Sequence, residues 1–332
     1  KIVDYNGETA AITPLILAKQ IDYATQAFPP DTERAITSKG IGIVRPPLGS
    51  GPAIYINFKK VPDLVSVQAR QALAYAINRD QAATVSLGLS AKSCKYMAGI
   101  SDSLAGGWVD AADLAKLNNY ALDVAKAASM LTTLGFKKGS DGVYVGPSGA
   151  KMDFTLEVPA EYTDWSATAQ NVAEQLTAFG FKITVKPVTY TQEPIDIDKG
   201  NVQLAIGPWG AGSPFPRYSF YNDMELHNPP VALGPGTGLF DLKLGVDFKS
   251  LINASGAGLD IAAQKKAVAT AAVAFNSLLP VIPMWERYGN NVALAGTRVT
   301  GWPPAGDPIY KNSPYGDSFV TLMVVNGTLK GV

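Results

Sequence analysis

The chain has one cysteine, Cys94, and one histidine, His227, among its 332 residues. A single thiol cannot close an internal disulfide, and no CxxC or Cys/His cluster is present to hold zinc. Cys94 reads as a small buried residue rather than a reactive thiol. No stretch approaches the run of about 20 apolar residues that a membrane-crossing helix needs. The opening KIVDYNGETA has neither the basic nor the apolar region of an export signal. Charge is sparse and balanced: Lys plus Arg and Asp plus Glu each number 28, and charged residues make up 17% of the chain. No basic face for nucleic acid is expected. The weak field gives little steering, which favours a neutral ligand over a highly charged one.

Apolar residues make up 47%, enough for a large core and unlike a disordered chain. The length suits two lobes or one large α/β unit. Scattered Gly (32) and Pro (23) imply many turns between short elements. Residues 12–27 read as a helix, and GIGIVRPPLGSGPAIYINF as strand, turn and strand. Val65, Ala69, Leu73, Ala76 and Ile77 fall at helical spacing, with Asp63 as a candidate N-cap. Further helices are expected over 121–134 and 164–179, each stopped by a glycine (Gly135, Gly180), and over 259–279. Strands are expected at KMDFTLEVP, FKITVKPV, VQLAIG and the tail SFVTLMVVNG. Residues 209–240, rich in Pro, Gly and aromatics, read as a long functional loop. Helices and strands alternate, so the class is α/β or α+β.

Several segments, taken in order, resemble solute-binding protein family 5 of the ABC importers. IYINF (54–58) followed by ARQALAYAINRD (69–80) looks like that family's strand and helix. AKAASMLTTLGF (125–136), the strand pair over 141–156, the helix-Gly-strand over 170–185 and LLPVIPMWERY (278–288) continue the match. The resemblance implies a two-lobed, hinged, periplasmic-binding-protein-like α/β fold. It implies that the N-terminal part of the first lobe is missing here, as a separate chain or fragment. Residues 1–52 would end that part and approach the hinge, 53–208 would form the second lobe, and 209–332 would return to the first. Strands near 53–58 and 203–208 would be the hinge crossings. Such a protein is extracytoplasmic, periplasmic or lipid-anchored. It hands a small solute to an ABC transporter permease, is not an enzyme, and needs no cofactor or metal.

Peptide-binding members of the family carry an Asp shortly after a Trp on the return crossing, where it pairs with the peptide's α-amino group. Here Trp209 is followed by GAGSPFPRYSF, with no carboxylate before Asp223. An unpaired buried ammonium costs several kcal/mol, which counts against a free-amino peptide. TGWPPAGDPIY (300–310) and PMWERYG look more like the oligosaccharide-binding subgroup. Sugar rings suit flat aromatic platforms with polar rims. The expected ligand is therefore an oligosaccharide of the cello-oligosaccharide kind, held in an aromatic-lined cleft between the lobes. The candidate ligand-binding residues are Trp209, Trp165, Tyr162, Phe215, Tyr218, Trp285 and Glu161. Trp285 suits packing as well as contact, and Trp302 and Trp108 suit structural or rim roles. An oligopeptide captured by Asp223 or Glu161, or through backbone hydrogen bonds alone, is the alternative.

A regulatory or scaffolding protein reusing the fold is an alternative of another class. A glycosidase needs two carboxylates about the bond. Glu157, Glu161 and Asp164 supply raw material but read as a solvated face. His227 reads as a loop residue, with no nucleophile motif beside it. SGAGLD (255–260) lacks a phosphate-loop pattern.

Overall fold

A computed structural model describes residues 9–25, 28–226, 245–304, 306–311 and 318–332. The chain divides by packing into two compact units. One comprises residues 1–48, 86–92 and 287–332, the other residues 49–85 and 93–286.

In the smaller unit, Asn291–Ala293 is the middle strand of an antiparallel three-stranded sheet, between Tyr23–Ala24 and Gly42–Val44. Successive residues of a strand face opposite sides. Val292 accordingly packs with Ile12, Ile16, Phe28 and Ile36. Its neighbour Ala293 packs with Tyr310, Phe319 and Met323. Asn290 fixes the strand's approach: its amide accepts from Phe28 N–H at 3.1 Å and donates to Phe28 O at 2.7 Å.

Two expectations fail in this unit. The tail is a helix, Ser318–Val325, rather than a strand. A short apolar run has no decisive period, and the tie is broken by Phe319 and Met323, four residues apart and both buried on one helical face. The helix expected over 12–27 ends at Leu17. Lys19 then turns left-handed at φ 57°, and Tyr23–Ala24 joins the sheet.

The larger unit is built on a five-stranded sheet: β1 (Ser50–Ile56), β2 (Asp153–Pro159), β3 (Lys182–Val188), β4 (Leu204–Gly210) and β5 (Ile282–Pro283). Their order is β5-β1-β4-β2-β3. β1 runs antiparallel to both its neighbours, while β4, β2 and β3 run parallel. β1 and β4 are buried along nearly their whole length, as central strands covered on both faces are. β3, at an edge, is exposed at Lys182, Thr184, Lys186 and Pro187. The opposite edge, β5, has only two residues and ends in a proline.

The helices of this unit include α1 (Val67–Ala76), α2 (Asp102–Trp108), α3 (Thr163–Phe179) and α4 (Ile261–Leu278). α1 is capped by Ser66, whose side chain accepts from Ala69 N–H. The expected cap, Asp63, instead accepts from the Ser148 N–H and hydroxyl at 3.1 and 2.6 Å. Arg70 of α1 is fully buried and has no carboxylate partner among the described residues. Its guanidinium donates to the carbonyls of Leu64, Val65, Leu278 and Leu279, so it caps the carboxyl end of α4. Arg79 likewise donates to the carbonyls of Asn119 and Tyr120. The ARQALAYAINRD segment thus owes both arginines to scaffold bonds.

β1 and β4, expected as hinge crossings, are paired neighbours in the middle of this one sheet. The chain passes between the packing units at 48–49, 85–86, 92–93 and 286–287. Residues 209–286 fall with the larger unit.

Candidate functional site

The parallel strands β2, β3 and β4 end at the same edge of the sheet. Their following turns, 160–162, 189–191 and 211–215, therefore gather at one rim. In open α/β sheets this carboxyl rim is where ligands bind. All seven candidate residues lie in the larger unit, and the structure sorts them into three groups.

The first group is an aromatic cluster. The Tyr162 ring meets Trp165 edge-on, with centroids 5.2 Å apart at 84°. It stacks on Tyr190 at 6.2 Å and 24°. Tyr162 and Tyr190 are 41% and 53% exposed, whereas Trp165, in the first turn of α3, is 9% exposed. The buried Trp165 indole N–H has no hydrogen-bond partner. A spare buried donor beneath two exposed rings is costly unless something polar meets it. Glu161 is exposed and one carboxylate oxygen accepts the Tyr190 N–H at 2.9 Å, joining the turn after β2 to the turn after β3. Tyr190 was absent from the sequence candidates. Its signal was available: a Thr-Tyr-Thr turn between a strand and a helix, like the turn that carries Tyr162.

The second group lies on the turn after β4. Phe215 and Tyr218 are 53% and 50% exposed. Phe215 meets Trp108, the last residue of α2, with centroids 6.3 Å apart at 64°. The Trp108 indole N–H donates to Pro214 O at 3.0 Å.

The third group is core. Trp209 and Trp285 are 1% and 0% exposed. Trp209 Nε1 donates to Trp285 O at 3.2 Å, and Trp285 Nε1 to Thr168 Oγ1 at 3.0 Å. With faces packed and donors committed, neither indole offers a surface to a ligand in this structure. Trp209 lies on β4, and Trp285 on a short strand outside the five-stranded sheet. Trp302, in the smaller unit, stacks on Tyr23 at 5.6 Å.

Of the acidic residues expected on a solvated face, only Glu161 is exposed. Glu157 is buried and accepts from Lys186 Nζ at 2.7 Å across β2 and β3. Asp164 is also buried. Beside Glu157, burial pushes Glu193 up to about 8, with the Glu157 and Asp198 charges adding to the shift. Asp223 is fully buried; one oxygen accepts Gly210 N–H at 2.9 Å and the other has no partner. Burial raises its pKa well above the usual carboxylate range. Buried in this way, Asp223 presents no surface to a peptide's ammonium group in this structure. His227 lies outside the described residues. Among the described residues no group of three or more His, Cys, Asp or Glu is arranged to hold a metal ion. No helix among them is long and apolar enough to cross a membrane.

The chain is similar to known proteins in sequence profile and in fold. The profile of bacterial extracellular solute-binding proteins, family 5 Middle, matches residues 1–226. A probable ABC transporter-binding protein of Deinococcus radiodurans is 29% identical over 160 residues, covering 46% of this chain and 26% of that protein. A periplasmic oligopeptide-binding protein of Thermotoga maritima, solved with mannohexaose bound, aligns over 100% of this chain and 61% of its own, with a TM-score of 0.69 and 21% identity. The oligopeptide-binding protein AppA of Bacillus subtilis, solved with a nonapeptide, aligns over 93% and 57%, with a TM-score of 0.70 and 17% identity. MelB of Agrobacterium fabrum, solved with stachyose, aligns over 87% and 46%, with a TM-score of 0.64 and 15% identity. The chain thus spans about a quarter of that curated relative and about half to three-fifths of these structures.

Proposed function

This chain belongs to the bacterial extracellular solute-binding proteins of family 5, and from that premise we propose that it forms part of the substrate-binding component of an ABC importer whose solute is an oligosaccharide. It binds and releases its solute without chemistry, outside the cytoplasm, and passes it to a permease. The observation that carries the choice of solute is the cluster of Tyr162, Trp165 and Tyr190 at the carboxyl rim of the sheet. It has two half-exposed rings and one spare indole donor. Rings supply flat faces for sugar C–H surfaces, and the exposed Glu161 carboxylate supplies a hydrogen-bond acceptor for hydroxyls. Phe215 and Tyr218 extend the aromatic surface along the turn after β4. Trp209 and Trp285 act as its packed support.

The packing also supports moving the end of the proposed second lobe from residue 208 to 286. Residues 209–286 close one compact unit with the sheet.

A peptide solute is the second reading. It is favoured by one observation: Glu161 is an exposed carboxylate beside the same cluster, free to face an ammonium group. Isothermal titration with cello-oligosaccharides, manno-oligosaccharides and short peptides separates the two. Binding of sugars alone, weakened by Trp165→Ala, supports the oligosaccharide reading. Binding of peptides alone, weakened by Glu161→Gln, replaces it.

A further inference from the structure

Behind Tyr190 the chain buries a carboxyl that has no cation to pair with. The turn 189–191 leads into a short helix, Gln192–Asp198, which packs on β2. Glu193, in the first turn of that helix, is 4% exposed, and its Oε1 has no hydrogen-bond partner. On β2, Glu157 is 2% exposed, and its Oε1 is likewise without a partner. The ammonium at this place, Lys186 of β3, is bonded to Glu157 Oε2 at 2.7 Å. Among the described residues, the other charged or titratable groups that reach Glu193 or its neighbour Glu157 are Asp196 and Asp198 of the same helix and Tyr55 of β1. None of these is a cation, and the Tyr55 hydroxyl donates to Pro208 O at 2.6 Å. Two carboxyls taken out of water beside one ammonium carry one negative charge at low cost, not two. Glu157 holds the ammonium, so Glu193 is the acid that keeps its proton.

The helix is fastened unequally at its two ends. Past its carboxyl end, the buried Asn57 amide donates to Gly200 O at 3.0 Å and to Val202 O at 2.9 Å. Asn201 N–H donates to Asp196 O at 2.7 Å, and the Asn201 side chain donates to Asp196 Oδ1 at 3.1 Å. The amino end is tied to the turn after β2 by the bond from Tyr190 N–H to Glu161 at 2.9 Å, between two exposed residues, and by the Tyr162–Tyr190 stack. An ionised Glu193 needs water or a cation, and its seat provides neither. The lightly held end is the one that can move outward, and it carries Tyr190 three residues before Glu193.

We propose that Glu193 is a positioning residue for the solute surface: as a neutral carboxyl it seats the helix Gln192–Asp198 on β2 and keeps the Tyr190 ring stacked on Tyr162, and as an anion it lifts that end of the helix and takes the ring away. Solute binding is thereby linked to a proton that never touches the solute. The inference rests on the reading of the Tyr162 cluster as solute surface. The relevant range is set by burial, with the Glu157 and Asp198 charges, which push Glu193 up to about 8. The seat is therefore held below that pH and lost above it.

The test follows the full chain between about pH 6.5 and 9 with two readouts. One is the nuclear Overhauser contact between the Tyr162 and Tyr190 rings, which needs no ligand. The other is calorimetry with cellopentaose and mannohexaose. In the parent, the ring contact should fade as pH rises through the Glu193 range, and affinity should fall by the roughly two- to tenfold that one stacked ring supplies. Glu193→Gln, which keeps the shape without the charge, should hold both the contact and the affinity to the top of the range. Tyr190→Ala should bind weakly throughout and lose the slope, since the slope acts through that ring. Glu286→Gln should keep the parent's slope. A ring contact unchanged across the range in the parent, a slope that survives in Glu193→Gln, or a slope that survives in Tyr190→Ala would each overturn the inference. A ring contact that follows Glu193 while neither sugar binds at the low end would support the positioning role and sink the oligosaccharide reading, so the two failures are recorded separately.

Discussion

The indole N–H of Trp209 donates to the carbonyl oxygen of Trp285 at 3.2 Å. The Trp209 indole is therefore tied to the Trp285 backbone instead of to solvent, and the Trp285 indole in turn donates to Thr168 Oγ1. Thr168→Val would strand a buried indole donor. We expect a loss of about 1–3 kcal/mol in urea unfolding with oligosaccharide affinity unchanged. Trp285→Ala should cost about 3–5 kcal/mol. A large loss of affinity at preserved stability would instead make Trp285 a contact residue.

Gly51 lies against the same pair. A Cβ there would come within 1.9 Å of Trp285 O and 3.0 Å of Trp209 Nε1. Gly51→Ala must push backbone apart and should destabilise by about 1–3 kcal/mol or more. Near-UV circular dichroism should report disturbed tryptophans. An unaffected variant would mean that β1 shifts more easily than its burial implies.

Tyr162→Ala and Tyr190→Ala remove half-exposed rings. Each should lower oligosaccharide affinity by roughly two- to tenfold and change stability by no more than about 0.5 kcal/mol. Calorimetry paired with thermal melts reads both quantities. Unchanged affinity in both variants would remove the cluster from the site.

Buried carboxyls shape the pH dependence, Glu193 and Glu286 among them, with Asp223 shifted in the same direction. Burial holds Glu193 at about 8 and Glu286 at about 7, the latter despite its bonds to Ser103. In each case the folded chain holds the proton more tightly than the unfolded chain. Stability is therefore fullest below about pH 4.5 for these groups. It falls as pH rises, until about 7 for Glu286 and about 8 for Glu193. Glu193→Gln should be more stable than the parent at pH 8.5, by on the order of 2 kcal/mol, and should flatten the decline. A parent whose stability rises steadily from pH 5 to 8 would contradict this.

Much of the sheet was readable because its signals are local. β2 and β3, with the helix between them closed by Gly180 at φ 122°, follow from hydrophobic period and one left-handed glycine. The tail helix was not readable, since Phe319 and Met323 choose helix only when the strand Asn291–Ala293 lies beneath them. The site was half legible. Aromatic residues at strand ends could be picked out at Tyr162 and Phe215. Chemistry alone could not tell an exposed ring from a buried one, and so Trp209 and Trp285 were placed with the platforms. The distinction depends on where Thr168 and Gly51 fall in three dimensions. Tyr190, on the turn after β3, carries the same local signal as Tyr162, but its stacking on Tyr162 is visible only when β3 is seen beside β2.

The two borders of the larger sheet have a consequence for the protein's solubility. A bare strand edge recruits other strands. Here one border is a two-residue strand ending in Pro283, and the other carries Lys182, Lys186 and Pro187 outward along β3. Replacing Lys182 by valine would leave a β-branched run, VITV, along that edge, open to its own copies, while Lys186 keeps its bond to the buried Glu157. The chain would fold the same sheet and then stack it, so the first sign of the change would be turbidity rather than any loss of binding.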